Sequence, residues 1–325
     1  MMKYYCERDF ITKESVFTQL MAGEVHAMWQ KRQQGEFKGV DGVPIRWISI
    51  REPQNERCVV MVNGRNESFW KYQELFYEFS RKGYDVYAYD HRGQGASGRL
   101  TNDSELGHVI CFDDYVTDLH SFIENVVNKD AYKHRFLLAH SMGGAVATLY
   151  LEHYQTPFNA VVLNAPMFGI NMPAPLKLVA SSIAKIMEHY QSQPSYVLGK
   201  KPYREEPFEA NDQCQSQLRY GWAKHLYQLH PELRLGGPSP RWVWQALAAA
   251  KHCIRDVEHI DTPVLLLQAG DDKVVDNHSH VIFCTKCTEC EMKVIPHARH
   301  ELLMEKDCLR NQALKDTLEF FESYS

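Results

Sequence analysis

The sequence predicts an α/β fold with a mostly parallel central sheet, flanking helices and a helical cap inserted after the sixth strand. Three observations support this prediction. Short apolar runs alternate with helical patterns, a serine between small residues ends one of the runs, and residues 166–261 contain no clear strand. The chain has 325 residues, of which 44% are hydrophobic and 24% charged. It is therefore long enough for one large core that carries an insertion.

The apolar runs are short and continuous, which is typical of strands buried on both faces of a parallel sheet. They cover residues 58–62, 86–89, 136–138, 160–163, 264–267 and 292–295. A hairpin over 36–51 precedes them, with Asp41-Gly42 as its turn. Helical patterns separate the runs, over 69–82, 113–128, 144–154 and 277–286. A doubly wound sheet of this kind binds ligands beyond the carboxyl ends of its strands.

The chain divides into a core of residues 1–165 and 262–325 and a cap of residues 166–261. Residues 1–34 are a mostly helical extension of the core, because apolar residues recur there at steps of three and four. The interval 166–261 contains prolines, an amphipathic segment and a run rich in aromatic residues, and it is too long for a connecting loop. Since it leaves the carboxyl end of a strand, we expect it to roof the site.

Ser141 follows the run 136–138 and precedes an alanine- and leucine-rich helical pattern, which is the layout of a nucleophile elbow. The tight turn requires small residues two positions before and after the serine, and these are Ala139 and Gly143. A serine hydroxyl needs a base within hydrogen-bond reach, and the base needs an acid to orient it. With this elbow, the acid and then the histidine follow in loops after later strands.

Those loops offer more than one candidate for each partner. After the run 264–267, Asp272 is the predicted acid and Asp271 the alternative, while Asp276 is expected to cap the next helix. After the last run, His300 is the predicted base because it heads the final helical segment, and His297 lies nearer the strand end. Position after the last strand outweighs the expectation that a lone histidine is an ordinary surface residue.

An oxyanion hole requires two backbone N–H groups directed at the developing negative charge. One is expected from Met142, the residue after the serine, and the other from Arg65, in the loop after the first core strand. Gly64 allows the backbone to turn there, although Asn63-Gly64 alone is also typical of an ordinary turn. Gly64, His140 and Gly143 are the predicted substrate-binding residues.

These residues resemble the serine α/β-hydrolases of the monoglyceride-lipase and lysophospholipase group over nearly the whole chain. Within that group the chain is most similar to the bacterial lysophospholipases, because it has Asn-Gly-Arg where monoglyceride lipases usually have His-Gly, Ala139 before His140, and the cap segment 233–243. The matching stretches are Asn63-Gly64-Arg65-Asn66-Glu67-Ser68 with Tyr72, residues 90–99, His140-Ser141-Met142-Gly143-Gly144, residues 164–169, the Asp272 loop and His300.

The resemblance implies an α/β-hydrolase fold and hydrolysis of single-chain lipid esters through an acyl-serine intermediate. It implies that Ser141 attacks, that His300 relays the proton and that Asp272 holds the imidazole. Lysophospholipids are the expected substrates, with monoacylglycerol lipase or general carboxylesterase activity as the alternative. Cations such as Lys177, Lys200, Lys201, Arg204 and Arg241 could contact a phosphate, yet most surface cations are merely solvated, so the head group stays open.

A different class of function is a non-catalytic hydrolase-fold protein that binds a lipid or a partner. Loss of the serine or histidine would favour it, but every candidate for the triad is present. In either case the cap contains an apolar face, formed by Leu176, Val179, Ile183, Ile186 and Met187. Such a face is more typical of packed core. In a cap over a lipid site we expect it to line an acyl-chain tunnel and to govern peripheral membrane contact.

Composition restricts the remaining partners. A net charge of −5 without a basic stripe argues against nucleic acid. Cys284, Cys287 and Cys290 have metal-ligand spacing but lack a fourth cysteine nearby, so we interpret them as thiols at a helix end and expect no metal or cofactor. Nine cysteines, an odd number, favour a reducing compartment.

We expect a cytoplasmic protein, at most peripheral on the inner face of the membrane. Acidic residues fall within positions 1–10, where a signal peptide would be apolar, and no later run approaches the ~20 apolar residues of a membrane span. No motif in the sequence sets an oligomeric state.

Overall fold

The computed structural model describes residues 11–325, which contribute eight strands to one sheet. Residues 1–10, on which the prediction about a signal peptide rests, lie outside the described part. The strands are β1 (Gln33–Lys38), β2 (Pro44–Ile50), β3 (Arg57–Val62), β4 (Tyr84–Tyr89), β5 (His134–His140), β6 (Ala160–Asn164), β7 (Val264–Ala269) and β8 (Cys290–Ile295). Their order in the sheet is β1-β2-β4-β3-β5-β6-β7-β8.

Most of the sheet is parallel. The neighbouring strands from β4 through β3 and β5 to β8 run in the same direction, whereas β1 pairs with β2 and β2 with β4 in antiparallel fashion. The hairpin turn between β1 and β2 contains Asp41 at φ 56° and Gly42 at φ 74°. Aspartate and glycine tolerate this left-handed region, which explains the turn chemistry. The predicted mostly parallel sheet and the hairpin are confirmed.

Ten α-helices accompany the sheet within residues 11–325. They are α1 (Glu14–Leu20), α2 (His26–Gln30), α3 (Gln73–Arg81), α4 (Asp113–Asn125), α5 (Met142–His153), α6 (Ala174–His189), α7 (Gln217–Leu229), α8 (Pro240–His252), α9 (Asn277–Lys286) and α10 (Asp307–Glu322). A short π-helix, Met21–Val25, joins α1 to α2. The predicted N-terminal extension is thus helical over its described middle part, and its last residues belong to β1.

Helices cover both faces of the sheet, which is why the core strands are continuously apolar. Alternate residues of β3 point to opposite sides. Val60 and Val62 belong to the apolar cluster that includes buried residues of α4 and α5, while Val59 and Met61 belong to the cluster with α3 and α10. Within residues 11–325, every helix is too short or too polar to span a bilayer.

Between β6 and β7 the chain forms α6, α7 and α8 and no named strand. Helix α6 packs against α8 through small residues, and Ala180 and Ala184 are buried there. The large apolar residues of α6 point elsewhere. Leu176, Val179, Ile183 and Ile186 keep 45%, 44%, 43% and 57% of their surface exposed. These four residues are therefore not packed core, because alanines make the helix contact, and the expected acyl-chain tunnel and membrane contact stay predictions.

This insertion contacts the loops that leave the carboxyl ends of β3 and β4. The Gly236 N–H donates to the Glu105 carbonyl at 2.7 Å, and the Gly107 N–H donates to the Gly237 carbonyl at 3.0 Å. The Tyr227 hydroxyl donates to the Asn66 carbonyl at 3.1 Å. The insertion thus lies at the end of the sheet where the predicted site residues are found.

Candidate active site

Ser141 stands between β5 and α5 in a backbone conformation that few residues adopt. Its φ is 52° and its ψ is −118°, which lies outside the allowed regions for most L-residues. The turn brings α5 against the end of β3, and a Cβ atom on Gly143 would lie 2.3 Å from the Val62 carbonyl oxygen. Only glycine fits at that position. Ala139, in place of the usual first glycine, is buried in β5 and pairs with Val62 and Leu163.

The structure brings Ser141, His300 and Asp272 into one hydrogen-bonded row. His300 Nδ1 lies 2.7 Å from Asp272 Oδ2, and His300 Nε2 lies 2.8 Å from Ser141 Oγ. A carboxylate can only accept, so Nδ1 is the protonated nitrogen and Nε2 accepts from the serine hydroxyl. Ser141 and His300 retain 8% and 3% of their surface exposed.

Asp272 is held as a carboxylate. Burial alone would raise its pKa, but hydrogen bonds from His300 and from the N–H groups of Val275 and Val274 outweigh burial and lower it. The two backbone bonds are 3.0 and 2.7 Å long. An ionised Asp272 fixes the tautomer and the orientation of the His300 ring, which is the role of the acid in a triad.

The alternative acid and base pair with each other at the surface. His297 Nδ1 lies 3.7 Å from Asp271 Oδ2, and their side chains are 85% and 63% exposed. Within the described part of the chain, neither side chain forms a hydrogen bond with Ser141. Asp276 instead caps α9, because its side chain accepts a hydrogen bond from the His278 N–H. Geometry therefore separates the candidates that spacing left open.

Two backbone N–H groups near Ser141 have no acceptor. Within residues 11–325 the backbone N–H groups of Arg65 and Met142 donate no hydrogen bond. The neighbouring Gly64 N–H differs, since it donates to Glu67 Oε2. The loop after β3 passes directly against the serine, and a Cβ atom on Gly64 would lie 3.1 Å from Ser141 Cβ. Arg65 and Met142 thus keep the free donors that the predicted oxyanion hole requires.

Comparisons with known proteins agree with this geometry. Residues 53–307 match the Hydrolase_4 family, described as Serine aminopeptidase, S33. Over 98% of this chain and 96% of the relative, the sequence is 37% identical to Lysophospholipase L2 of Escherichia coli. The chain belongs to the lysophospholipase L2 family of serine α/β-hydrolases.

Two further comparisons agree with that membership. A probable lysophospholipase L2 of Haemophilus influenzae is 33% identical over 96% of this chain and 99% of its own. A soluble variant of the Saccharomyces cerevisiae monoglyceride lipase, solved with a substrate analogue, has the same fold. Its TM-score is 0.70 at 18% identity, with 90% of this chain and 95% of that chain covered. The predicted resemblance and the α/β-hydrolase fold are confirmed.

A buried ionic cluster beneath the β3 loop escaped the sequence reasoning. Glu67 Oε1 lies 2.9 Å from Lys71 Nζ and accepts from the Tyr72 hydroxyl at 2.7 Å. Lys71 Nζ also lies 2.6 Å from Oε1 of Glu301, the residue that directly follows His300 in the chain. Burial works against the charge of Glu67, yet His140 and Lys71 hold its pKa well below the usual value. The cluster thus ties the loop with the free Arg65 N–H to the residue that follows the base.

His140 belongs to this cluster through both ring nitrogens. Nδ1 lies 3.0 Å from Glu67 Oε2, and Nε2 lies 3.2 Å from the His300 carbonyl oxygen. Both partners are acceptors, so only the doubly protonated ring satisfies them. Burial disfavours that charge, but Glu67 outweighs it and raises the pKa of His140. The ring is therefore engaged inside the protein, and its contact with substrate stays a prediction.

The residues around Asp90, which the sequence marks as part of the family resemblance, hold the same loop from its other side. Asp90 accepts hydrogen bonds from Asn63 Nδ2 at 2.9 Å, the Ser68 hydroxyl at 2.6 Å and the Phe69 N–H at 2.8 Å. Burial raises the pKa of Asp90 to about 6. His91 Nε2 donates to the Asn63 carbonyl, 2.9 Å away. Asp90 and His91 thus fix the loop and do not reach the row of Ser141, His300 and Asp272.

The cysteine cluster differs from the expectation in one respect. Cys284 and Cys290 form a disulfide with a Cα–Cα distance of 5.3 Å, and Cys287 remains a buried thiol. The interpretation of all three as thiols is therefore wrong. The chain turns back between the end of α9 and the start of β8, which brings the outer two cysteines together. Residues 11–325 contain no cluster of histidine, cysteine and acidic side chains arranged for a metal ion.

Proposed function

We propose that this hydrolase cleaves the carboxylic ester of lysophospholipids through an acyl-serine intermediate. The observation that carries the proposal is the continuous hydrogen-bonded row from Ser141 through His300 to the ionised Asp272. The names of the near-full-length relatives support the choice of lysophospholipids among single-chain lipid esters. The insertion of residues 166–261 is the proposed cap, and part of its lining would form the tunnel for the acyl chain.

The reaction divides into two acyl transfers. Ser141 Oγ attacks the ester carbonyl carbon while His300 Nε2 takes the hydroxyl proton, and the Arg65 and Met142 N–H groups bind the resulting oxyanion. The tetrahedral intermediate expels the glycerol oxygen, which receives the proton from His300. Water then attacks the acyl-serine while His300 takes its proton, the bond to Ser141 Oγ breaks, Oγ receives the proton from His300, and the fatty acid leaves. Asp272 stays ionised throughout and stabilises the imidazolium.

A fluorophosphonate probe tests the nucleophile. It should label folded protein at Ser141, and Ser141→Ala should abolish labelling and lower kcat by about a million-fold, as for other triad serines. Absence of labelling would favour a non-catalytic hydrolase-fold protein.

A substrate panel tests the head group. The values of kcat/KM are compared for lysophosphatidylethanolamine, monoacylglycerol and a short p-nitrophenyl ester. A preference for the lysophospholipid is expected, and a preference for monoacylglycerol would place the enzyme with the monoacylglycerol lipases.

The proposal includes peripheral attachment to a membrane through α6. The exposed Leu176, Val179, Ile183 and Ile186 recur at steps of three and four, so they form one apolar stripe along the helix. A contiguous exposed apolar surface on a soluble core is typical of contact with a membrane or a partner. Because single-chain lipids partition into bilayers, a stripe on the proposed cap would bring the site to its substrate.

A further inference from the structure

Arginines that are fully buried in the described chain are paired with carboxylates, whereas the half-buried Arg65, next to the nucleophile, is not. A buried guanidinium without a counter-charge is costly, so folded proteins pair such groups or use them to bind an anion. Fully buried arginines of the described chain follow this rule. Their closest carboxylate contacts are Arg92 to Asp118 at 2.6 Å, Arg219 to Glu74 at 2.8 Å and Arg310 to Glu78 at 2.5 Å.

Arg65 has no such partner. Within residues 11–325 no carboxylate lies within ion-pair distance of its guanidinium, and its one hydrogen bond is from Nη2 to the Gly236 carbonyl, at 2.7 Å. The guanidinium carbon lies 4.8 Å from the centroid of the Trp242 ring. The Nε atom is buried and has no hydrogen-bond partner. Burial lowers the pKa of Arg65 to about 10, so the group is still a cation at neutral pH.

The position of this cation relates it to the reacting ester. The backbone N–H of Arg65 is a proposed oxyanion donor, and its side chain runs from there to the junction with the insertion. In a lysophospholipid acylated at a terminal glycerol carbon, a path of covalent bonds leads from the ester carbonyl carbon to the phosphorus. In Arg65, the path from the backbone nitrogen to the guanidinium carbon has the same number of bonds. An ester held at the backbone N–H can therefore place its phosphate beside the guanidinium.

We infer that the Arg65 guanidinium binds the phosphodiester of the lysophospholipid and selects it over neutral monoacylglycerol. The inference rests on the proposed function. A planar guanidinium matches phosphate oxygens with paired hydrogen bonds. A monoacylglycerol carries no anion, so its binding would leave the half-buried cation without a counter-charge. One residue thus serves the ester through its backbone and the head group through its side chain.

Arg65 could instead act only as a structural link between the loop after β3 and the insertion. Arg99 is a matched control for that role. It joins the loop after β4 to the same part of the insertion, with Nη1 2.8 Å from the Gly93 carbonyl and Nη2 3.4 Å from the Arg234 carbonyl. Unlike Arg65, it bonds several backbone carbonyls. If Arg65 only links the two segments, replacing Arg65 or Arg99 should have similar effects on activity. If Arg65 binds the head group, only its replacement should change the preference between the two substrates.

The experiment compares kcat/KM for oleoyl lysophosphatidylethanolamine and oleoyl monoacylglycerol in wild type, Arg65→Met, Arg65→Lys and Arg99→Met. Arg65→Met should lower the ratio of the two values by about 10- to 100-fold, as for the loss of a charge-assisted hydrogen-bonded contact. Arg65→Lys should lower the ratio less than Arg65→Met does, because lysine keeps the positive charge but lacks the planar guanidinium. Arg99→Met should change both substrates alike. Thermal midpoints identify variants that fail to fold.

Competition separates the lipid head group from free phosphate. Glycerophosphoethanolamine should inhibit wild type more strongly than Arg65→Met, and inorganic phosphate at the same concentration should inhibit wild type less. Equal loss on both substrates in Arg65→Met, an unchanged ratio, or equal inhibition by inorganic phosphate would overturn the inference. If wild type neither hydrolyses either lipid nor reacts with the fluorophosphonate, the proposed function itself fails, which is a distinguishable result.

Discussion

Glu67 is the residue that connects the loop after β3 to the rest of the site. Four donors converge on its carboxylate, from the Gly64 N–H, Lys71, Tyr72 and His140. The amide of a glutamine has the same shape, but its NH₂ group would face donors instead of accepting from them. Because the loop supplies a donor that acts on the transition state, its displacement should affect catalysis more than binding.

We therefore expect Glu67→Gln to lower kcat by roughly 10- to 100-fold with KM changed less than about 3-fold. The rate is measured per active site, with sites titrated by the fluorophosphonate, so that unfolded protein does not count. Glu56→Gln, at an exposed pair with Lys133, is the control and should behave as wild type. A rise in KM that accounts for the whole loss would show that Glu67 serves substrate binding instead.

His140 gives the stability a specific dependence on pH. Its pKa is raised in the folded state, so the folded protein holds this proton to higher pH than the unfolded chain, whose histidines titrate near about 6.5. The stabilisation is fully present below that value and is lost as pH rises through the folded-state pKa. The charged and titratable groups that face or adjoin the ring are the same in wild type and in a His140 variant. They are Glu67, Lys71, Glu301 and His300.

The free-energy difference of unfolding between wild type and His140→Gln should therefore shrink as the pH rises above the unfolded-chain value of about 6.5. Urea unfolding at a series of pH values measures both proteins. A difference that stays constant or grows with pH would contradict the assignment of His140 as a buried imidazolium paired with Glu67.

At the site, the sequence was informative where chemistry restricts residue type and chain order. Ser141 could be located because its turn admits only small neighbours, and chain order then limited the acid and base to two short loops. Asp272 and His300 could not be separated from Asp271 and His297 with certainty by spacing, since all four lie after the correct strands. The Glu67–Lys71–Glu301 cluster could not be predicted, because Glu67 and Lys71 are only four residues apart but Glu301 reaches Lys71 only in the folded chain.

Helix α6 carries four large apolar side chains that keep between 43% and 57% of their surface exposed in the described chain. Periodicity predicts an apolar stripe but cannot tell which side packs, and here buried Ala180 and Ala184 take the contact with α8. We expect Ile183→Asn combined with Ile186→Asn to weaken binding to phosphatidylethanolamine–phosphatidylglycerol vesicles by roughly 10-fold or more, given the apolar area removed. Vesicle co-sedimentation measures the bound fraction.

Two controls accompany the α6 variant. Ser182→Asn changes an exposed polar residue of the same helix and should bind vesicles as wild type does. Hydrolysis of a soluble p-nitrophenyl ester should be unaffected by the α6 substitutions, because Ile183 and Ile186 are exposed and belong neither to an ion pair nor to the row of Ser141, His300 and Asp272. If the variant with two asparagines on α6 binds vesicles as wild type does, this helix does not form the proposed membrane contact.

For the whole molecule, the alternation of apolar runs and helices predicts the α/β class, and the interval without a strand predicts an insertion. Both are local properties of the chain. The attachment of the insertion is not local: Arg219 of α7 pairs with Glu74 of α3 and with Asp307 of α10. Nothing in the neighbourhood of Arg219 in the sequence distinguishes it from an exposed arginine. Such pairings depend on three-dimensional packing and escape a reading by periodicity.

This buried pairing joins the insertion to the core, and its loss should destabilise the molecule as a whole. Arg219 donates from Nε to Glu74 Oε2 at 2.8 Å and from Nη1 to the Glu305 carbonyl, also at 2.8 Å. Arg219→Met keeps much of the volume but leaves Glu74 with the Thr12 hydroxyl and with Arg310, whose Nη2 lies 3.7 Å away. Removing one partner of a buried ion pair costs about 3–5 kcal/mol, because the other charge stays buried.

Urea unfolding of Arg219→Met should therefore show a loss of that size. The matched control is Arg255→Met, which removes a pair between exposed side chains, 62% for Arg255 and 50% for Asp256, and should cost far less than Arg219→Met because water screens the pair. Similar losses in the two variants would mean that α7 is held to the core by apolar packing rather than by charge. A large loss confined to Arg219→Met would show that the buried pair contributes to the stability of the folded molecule.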